Sequence, residues 1–362
     1  MSDTPRVRVL VVDDSALMRQ LLPALLATDP AIEVVGTAPD PFIARDKIKR
    51  LNPDVLTLDV EMPGMDGLKF LENLMRLRPM PVVMVSSFTR AGATTTLRAL
   101  DLGAVDVVEK PQANLRERVA DIGAELCEKV RAAAHARLRP LGSAPAPEHV
   151  AAVPRITPRA GHGLIVMGAS AGGTQALSDV LQRLPPTMPG IVIVQHMPPR
   201  FTGYFAERLN DKCALSVREA RDGDAIEAGV ALIAPGGLHT AVRNTKHGYA
   251  VEVYDGDAVN LHRPSVDVLF ESAARAAGDG AAGVILTGMG SDGARGMRLM
   301  RTRGAYTLAQ NEDTCLVYGM PERAVREGGV CEIVALDDVA ERLVKWAGAA
   351  EGMDEPDRTG YC

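Results

Sequence analysis

The chain has 362 residues, enough for two cores of ordinary domain size. Hydrophobic residues make up 46% of it and aromatic residues only 4%, so any core is built from Val, Leu, Ile and Ala. A net charge of −6 with no basic block argues against a nucleic-acid surface.

The N-terminal MSDTPRVRVLVV has no signal-peptide core, and no apolar run is long enough to cross a bilayer. VRVLVVDD (7–14) reads as a buried strand and SALMRQLLPALLAT (15–28) as a helix that Pro23 must kink or confine. IEVVGTA (32–38) and DVLTLDV (54–60) read as strands, with the helix PFIARDKIKRL (41–51) between them. The loop EMPGMDG leads into a helix, GLKFLENLMRL (67–77). PVVMVSS (81–87) and VDVVEK (105–110) are two more strands flanking a helix, and a last helix runs from near Asn114 towards Val130. Continuous apolar strands alternating with helices predict a parallel sheet covered on both faces.

The first domain is therefore expected over residues 1–125, with a linker over 126–161. Most of that linker, residues 131–161, is rich in Ala, Pro and Arg and lacks a clear amphipathic period, which leaves open a helical first part. Strand–helix alternation resumes in a second domain, 162–350, followed by a polar tail, 351–362. Its strand candidates are GLIVMGAS, GIVIVQHM, VALIAPGG, YAVEVYDG and AGVILTGMGSD; QALSDVLQRL and VDVLFESAARAA are helix candidates. The five scattered cysteines, Cys127, Cys213, Cys315, Cys331 and Cys362, form no Cys-x-x-Cys pair. Reduced thiols in a cytoplasmic protein fit that spacing better than a zinc centre or a disulfide framework.

In a doubly wound parallel sheet, functional side chains gather at the carboxyl ends of the strands. In the first domain those ends carry Asp13 and Asp14, Asp59, Ser86 and Ser87, and Lys110 followed by Pro111. Carboxylates this close repel one another unless a cation sits among them, and hard oxygen donors suit magnesium. A carboxylate beside that ion is a reasonable phosphoryl acceptor. VVDDS, LDVEMPGMDG, MVSS and EKP together resemble the receiver domain of two-component response regulators. That resemblance implies Asp59 as the phosphorylated residue, with Mg2+ held by Asp13, Asp14, Asp59 and the backbone carbonyl of Glu61. It also implies Ser86 as the switch hydroxyl and Lys110 as the phosphoryl contact. The position usually aromatic in receiver switching is Val107 here.

The second domain opens with LIVMGASAGGTQAL (164–177), a glycine-flanked serine between a strand and a helix. A dinucleotide fingerprint would need glycine where Ser170 stands and an acidic residue ending the next strand, which ends instead in Gln195 and His196. A P-loop would need a lysine that is absent before Thr174. A nucleophile reading requires a base and an orienting carboxylate. His196 and Asp292 follow two other strands and reach the same edge, in the chain order Ser, His, Asp. The N–H groups of Ala171, at a helix start, and of Met289, in a glycine-rich loop, are oxyanion-hole candidates. Asp292 also suits a helix N-cap, and His239 and His262 compete with His196 as site histidines. His135, His149 and His162 fall in or beside the linker, and His247 in a polar turn.

GASAGGTQAL, VQHMPPRFT, APGGLH, HRPSVDVLF and VILTGMGSDGARG together resemble the catalytic domain of the CheB family of chemotaxis protein-glutamate methylesterases. The resemblance implies two doubly wound α/β parallel-sheet domains, a flavodoxin-like receiver and a Rossmann-like esterase. It implies Ser170 as nucleophile, His196 as base and Asp292 as orienter, with Ala171 where relatives often carry Thr. It further implies glutamate methyl-ester hydrolysis and glutamine deamidation on methyl-accepting chemoreceptors, activated by phosphotransfer from the histidine kinase CheA. No cofactor for the ester chemistry, no membrane insertion and a cytoplasmic monomer are expected. The other readings are an interaction protein with a vestigial triad, a transcriptional regulator (disfavoured without a helix-turn-helix), and an esterase acting on a non-chemotaxis protein.

Overall fold

The structure is a computed structural model and describes residues 5–62, 67–86, 90–110, 119–138 and 163–348. The chain divides into two compact units, residues 1–146 and 147–362.

The first unit runs β1 (Val7–Val12), α1 (Met18–Leu26), β2 (Ile32–Ala38), α2 (Pro41–Leu51), β3 (Val55–Asp59), α3 (Gly67–Leu77), β4 (Val82–Ser86), α4 (Arg90–Asp101), β5 (Asp106–Glu109) and α5 (Val119–Ala134). Its five strands are parallel in the order β2-β1-β3-β4-β5, the flavodoxin-like arrangement. β3 and β4 are buried at every residue, as a sheet covered on both faces requires. β1 and β3 pair with Val12 opposite Leu58, so Asp13 and Asp59, one residue on, emerge side by side. α2 starts where Asp40 accepts the Ile43 N–H at 2.8 Å, with Pro41 at the first helical position. α1 continues through Pro23, which lies beyond its first turn.

α5 reaches Ala134, inside the stretch expected to be linker from residue 126. The reason is burial: Leu126, Cys127, Val130, Ala132 and Ala133 continue the apolar face, so the alanine-rich start of that stretch is helical. The rest of the expected linker from 139, the helix start near Asn114 and the tail at 351–362 lie outside the described residues.

The second unit runs β6 (Leu164–Ala169), α6 (Gly173–Leu181), β7 (Gly190–Gln195), α7 (Phe201–Asn210), β8 (Ser216–Glu219), β9 (Ala225–Ile226), β10 (Val230–Ile233), β11 (His239–Thr245) and β12 (Gly248–Tyr254). It continues with α8 (Val266–Ala277), β13 (Ala281–Ile285), α9 (Ala294–Thr302), β14 (Tyr306–Gln310), α10 (Met320–Arg326), β15 (Glu332–Val334) and α11 (Leu336–Gly348). Seven strands form a parallel sheet in the order β15-β14-β13-β6-β7-β10-β8. The chain enters at β6, passes through β7 to the edge strand β8, comes back to place β10 between them, then crosses to β13 on the other side of β6. The direction of winding therefore reverses between β6 and β13, where open α/β sheets place their sites.

YAVEVYDG is a strand but not part of that sheet. It forms β12 in a separate antiparallel sheet, β11-β12-β9. Val242 and Val251 on one face join the core formed with Leu269 and Ala273 of α8, while Arg243 and Glu252 face outward. One covered face is the antiparallel habit. Cys127, Cys213 and Cys315 are free thiols, whereas Cys331 is disulfide-bonded, against the expectation of reduced thiols throughout.

α8 presses directly on β6. A Cβ at Gly168 would lie 2.3 Å from Val266 Cγ1 and 3.2 Å from Phe270 Cζ, both fully buried. Gly168→Ala should therefore overpack this contact by about 1–3 kcal/mol. Calorimetry should show the transition of the second unit falling by several degrees; an unchanged transition would mean that α8 is free to retreat.

Candidate functional site

Two sites form, one at the carboxyl edge of each parallel sheet. In the first unit, Asp13, Asp14 and Asp59 each bring a carboxylate oxygen within 4.8 Å of the other two. Lys110, at the end of β5, places Nζ 2.7 Å from Asp59 Oδ2 and 3.1 Å from Asp13 Oδ2. Asp13 and Asp59 are buried and Asp14 is exposed. Burial, followed by the Asp13 charge, pushes the Asp59 carboxyl up to about 6 despite Lys110. Burial raises Asp13 as well, although Lys110 opposes it. One ammonium thus leaves the two buried acids short of positive charge. Hard oxygen donors in that condition suit a divalent cation.

Glu61 follows Asp59 by two residues, and its N–H donates to Asp59 Oδ1 at 3.1 Å. Ser86 is less simply placed. Its Oγ lies 2.7 Å from Thr96 Oγ1, and Thr96 also reaches the Gly92 carbonyl at 2.7 Å, so the hydroxyl is engaged with α4. The Val107 side chain is buried, and its carbonyl accepts from Lys129 Nζ at 2.6 Å. That lysine also pairs with Asp106 and Glu125, tying β5 to α5. Ser87 and residues 63–66 of the EMPGMDG loop lie outside the described residues.

In the second unit, β6 and β7 pair with Ala169 opposite Gln195. Ser170 and His196 are each one residue further along, so they leave adjacent strands in register. The Gln195 side chain locks this edge: its Nε2 donates to Ser170 O at 2.9 Å and to His196 O at 3.1 Å. Gly173 makes room for that amide, since a Cβ there would sit 2.2 Å from Gln195 Oε1. On the other side the Ser170 N–H donates to Thr287 O at 3.0 Å, and Gly288 packs on Ser170 so closely that a Cβ would lie 2.8 Å from the serine Cβ. The Gly288 carbonyl accepts from Gly319 and Met320 N–H groups at 3.1 and 2.8 Å, which fixes the loop carrying Met289. Ala171 starts the turn into α6, closed by the Gly173 N–H donating to Ser170 O at 2.7 Å.

His196 Nε2 lies 2.9 Å from Asp292 Oδ2. Asp292 also accepts from Asn260 Nδ2 at 2.7 Å, Ser265 Oγ at 2.7 Å, and the Val266 and Asp267 N–H groups at 2.6 and 3.1 Å. Burial alone would raise this carboxyl, but the His196, Asn260 and Ser265 hydrogen bonds and the imidazole charge hold it well below the usual range. Asp292 is not the N-cap of the helix that follows it; that position is Gly293. It serves the first turn of α8 instead, where a negative charge is favoured.

The other histidines separate cleanly. His239 is buried and structural: its Nε2 donates to Asp257 O at 2.9 Å, and its Nδ1 accepts the Ser265 N–H at 3.3 Å. His262 stacks on His196 with ring centroids 3.7 Å apart and planes 16° from parallel. His135 and His247 are exposed, while His149 and His162 lie outside the described residues. Gln195, Asn260, Ser265 and Thr96 were not identified from sequence as site residues. Only Ser265 left a recognisable signal, as a helix N-cap within HRPSVDVLF.

The raised Asp59 pKa has a stability consequence with a definite sign. The folded chain binds this proton more tightly than the unfolded chain, so stability falls as pH rises from about 4 through 6 and then levels off. Asp59→Asn should raise the melting temperature of the first unit by a few degrees at pH 7.5, with the gain shrinking below about pH 6. A thermal shift independent of pH between 4 and 7.5 would contradict this.

Residues 165–343 match the family described as CheB methylesterase, and residues 9–120 match the response regulator receiver domain. The chain is 53% identical over 348 residues to the protein-glutamate methylesterase/protein-glutamine glutaminase of Escherichia coli (strain K12), covering 96% of this chain and 99% of the relative. Proteins of the same name from Shigella flexneri and Pectobacterium atrosepticum match at the same identity and coverage. The crystal structure of the Thermotoga maritima CheB methylesterase catalytic domain is 34% identical, with a TM-score of 0.50 over 51% of this chain and 99% of that one. With methylesterase-type and receiver-type sequence in one polypeptide and a near-full-length match to these enzymes, the chain belongs to the CheB methylesterase family.

Proposed function

We propose that the chain is a protein-glutamate methylesterase and protein-glutamine glutaminase in which Ser170 is the nucleophile, His196 the base and Asp292 the orienting carboxylate. The observation that carries the reading is the 2.9 Å contact of His196 Nε2 with the buried Asp292, made by a histidine in register with Ser170. Because Nε2 is committed to Asp292, the base function falls to Nδ1. Ser170 Oγ attacks the γ-carbonyl of a glutamyl methyl ester as His196 Nδ1 takes its proton. The N–H groups of Ala171 and Met289 are the donors proposed for the oxyanion. His196 returns the proton to the departing methoxide, methanol leaves, and a glutamyl ester remains on Ser170. Water then attacks that ester, its proton passes through His196 to Ser170 Oγ, and glutamate is released. With a glutamine side chain the same sequence expels ammonia.

The receiver unit is proposed to control this chemistry. Asp59 would accept a phosphoryl group from a histidine kinase, with Ser86 and Lys110 contacting the phosphoryl oxygens. Asp13, Asp14, Asp59 and the Glu61 carbonyl would hold Mg2+, which when bound neutralises charge on the phosphoryl group and on the crowded acids. The raised Asp59 and Asp13 carboxyls support a cation there. We propose methyl-accepting chemoreceptors as substrate, CheA as phosphodonor and the cytoplasm as the location; no helix among the described residues is long and apolar enough to cross a membrane.

The test is methanol release from methylated receptor membranes, with and without Mg2+ and a small phosphodonor. Ser170→Ala should lose at least about 10³-fold in rate. Asp59→Asn should keep basal release and lose stimulation by the phosphodonor. Near-normal release by Ser170→Ala would overturn the serine mechanism, and full stimulation of Asp59→Asn would overturn receiver control.

A further inference from the structure

Between β12 and α8 the chain makes a tight turn that is tied into the candidate triad. Val259 and His262 pair as an isolated antiparallel bridge, each N–H donating to the other's carbonyl at 3.1 and 3.0 Å. The two residues at its tip, Asn260 (φ 53°) and Leu261 (φ 69°), are both left-handed. Two central residues with positive φ are the mark of a type I′ turn, which prefers Asn and then Gly. Asn260 meets the first preference, and its Nδ2 also donates to Asp292 Oδ1 at 2.7 Å and Asp267 Oδ2 at 2.8 Å. The second place holds leucine, for which positive φ is an outlier.

Leu261 gains nothing from burial that would offset this strain. It is 81% exposed, the highest value among the large hydrophobic residues described. An apolar side chain held strained and in water, where glycine would fit, points to a role outside folding. Its neighbours say where that role lies. The residue before it is bonded to the orienting carboxylate, and the ring of the residue after it lies on the His196 imidazole, 3.7 Å between centroids. Leu261 therefore stands at the solvent side of the catalytic edge, on a turn whose position is set by the catalytic groups.

We propose that Leu261 is a substrate-recognition residue: the apolar contact that seats the polypeptide carrying the scissile glutamyl ester. The proposal rests on the methylesterase reading above and adds the feature of the substrate that is read. Ser170 is buried, so a glutamyl ester must be delivered from a protein surface that meets the rim where Leu261 stands exposed. Leu261 would pack against apolar side-chain surface flanking the ester. A small ester has no flanking polypeptide and would not use the contact.

The experiment uses the full-length protein with Leu261→Gly, Leu261→Ser and Leu261→Met. Its readouts are methanol release from methylated receptor membranes, p-nitrophenyl acetate hydrolysis and thermal unfolding. For the glycine and serine variants the receptor KM should rise about tenfold with kcat within about twofold, as for truncation of an interface anchor. Small-ester hydrolysis should not change, Leu261→Met should restore most of the receptor KM, and Leu261→Gly should melt no lower than the native chain. An unchanged receptor KM would overturn the proposal. So would a parallel fall in receptor and small-ester turnover, which would make the turn a support of the triad. A native chain that hydrolyses the small ester but demethylates no receptor would instead remove the methylesterase reading itself.

Discussion

The second unit depends on one buried negative charge. Asp292 gathers His196, the turn before α8 and the first turn of α8 around two carboxylate oxygens. An ionised carboxylate in a dry interior is tolerated only when its lone pairs are filled, and here they are. Breaking such a group costs about 3–5 kcal/mol because the remaining partners are left unsatisfied. The same web orients the imidazole, so the interaction that stabilises the edge of the sheet is also the one that commits Nε2 of His196.

The receiver treats its carboxylates in the opposite way. Asp59 and Asp13 are also buried at a strand end, but a single lysine supplies most of what opposes their burial. Asp292 is held ionised far below the usual range, whereas Asp59 is pushed up to about 6. A satisfied charge suits a fixed part of a catalytic edge. An under-compensated pair suits a site that a cation would complete, because a positive charge relieves a repulsion already present.

Most of this was legible where chemistry and periodicity coincided. Asp13 and Asp59 could be assigned to the edge of one sheet, and Ser170 and His196 to the edge of another, because each ends an apolar run and parallel sheets align such ends. What escaped the sequence depended on contacts that spacing does not encode. YAVEVYDG has the alternation of a strand, but alternation does not say which sheet it joins. RAAAHA looked like linker by composition, although Ala132 and Ala133 are fully packed. Three threonines stand in a row at 94–96, and nothing in the string marks Thr96 as the one that meets Ser86. His262 was visible as a competitor to His196, yet only the fold turned competition into a stack.

The central claim is that Asp292 and His196 make the Ser170 hydroxyl a nucleophile. The most direct measurement is peptide mapping after reaction with a fluorophosphonate, comparing the native chain with Asp292→Asn at several times. The account predicts one adduct, on Ser170, forming at least about 10²-fold more slowly in the variant, whose amide cannot support the imidazolium as the carboxylate does. An adduct on another residue, or equal labelling rates in the two proteins, would contradict it.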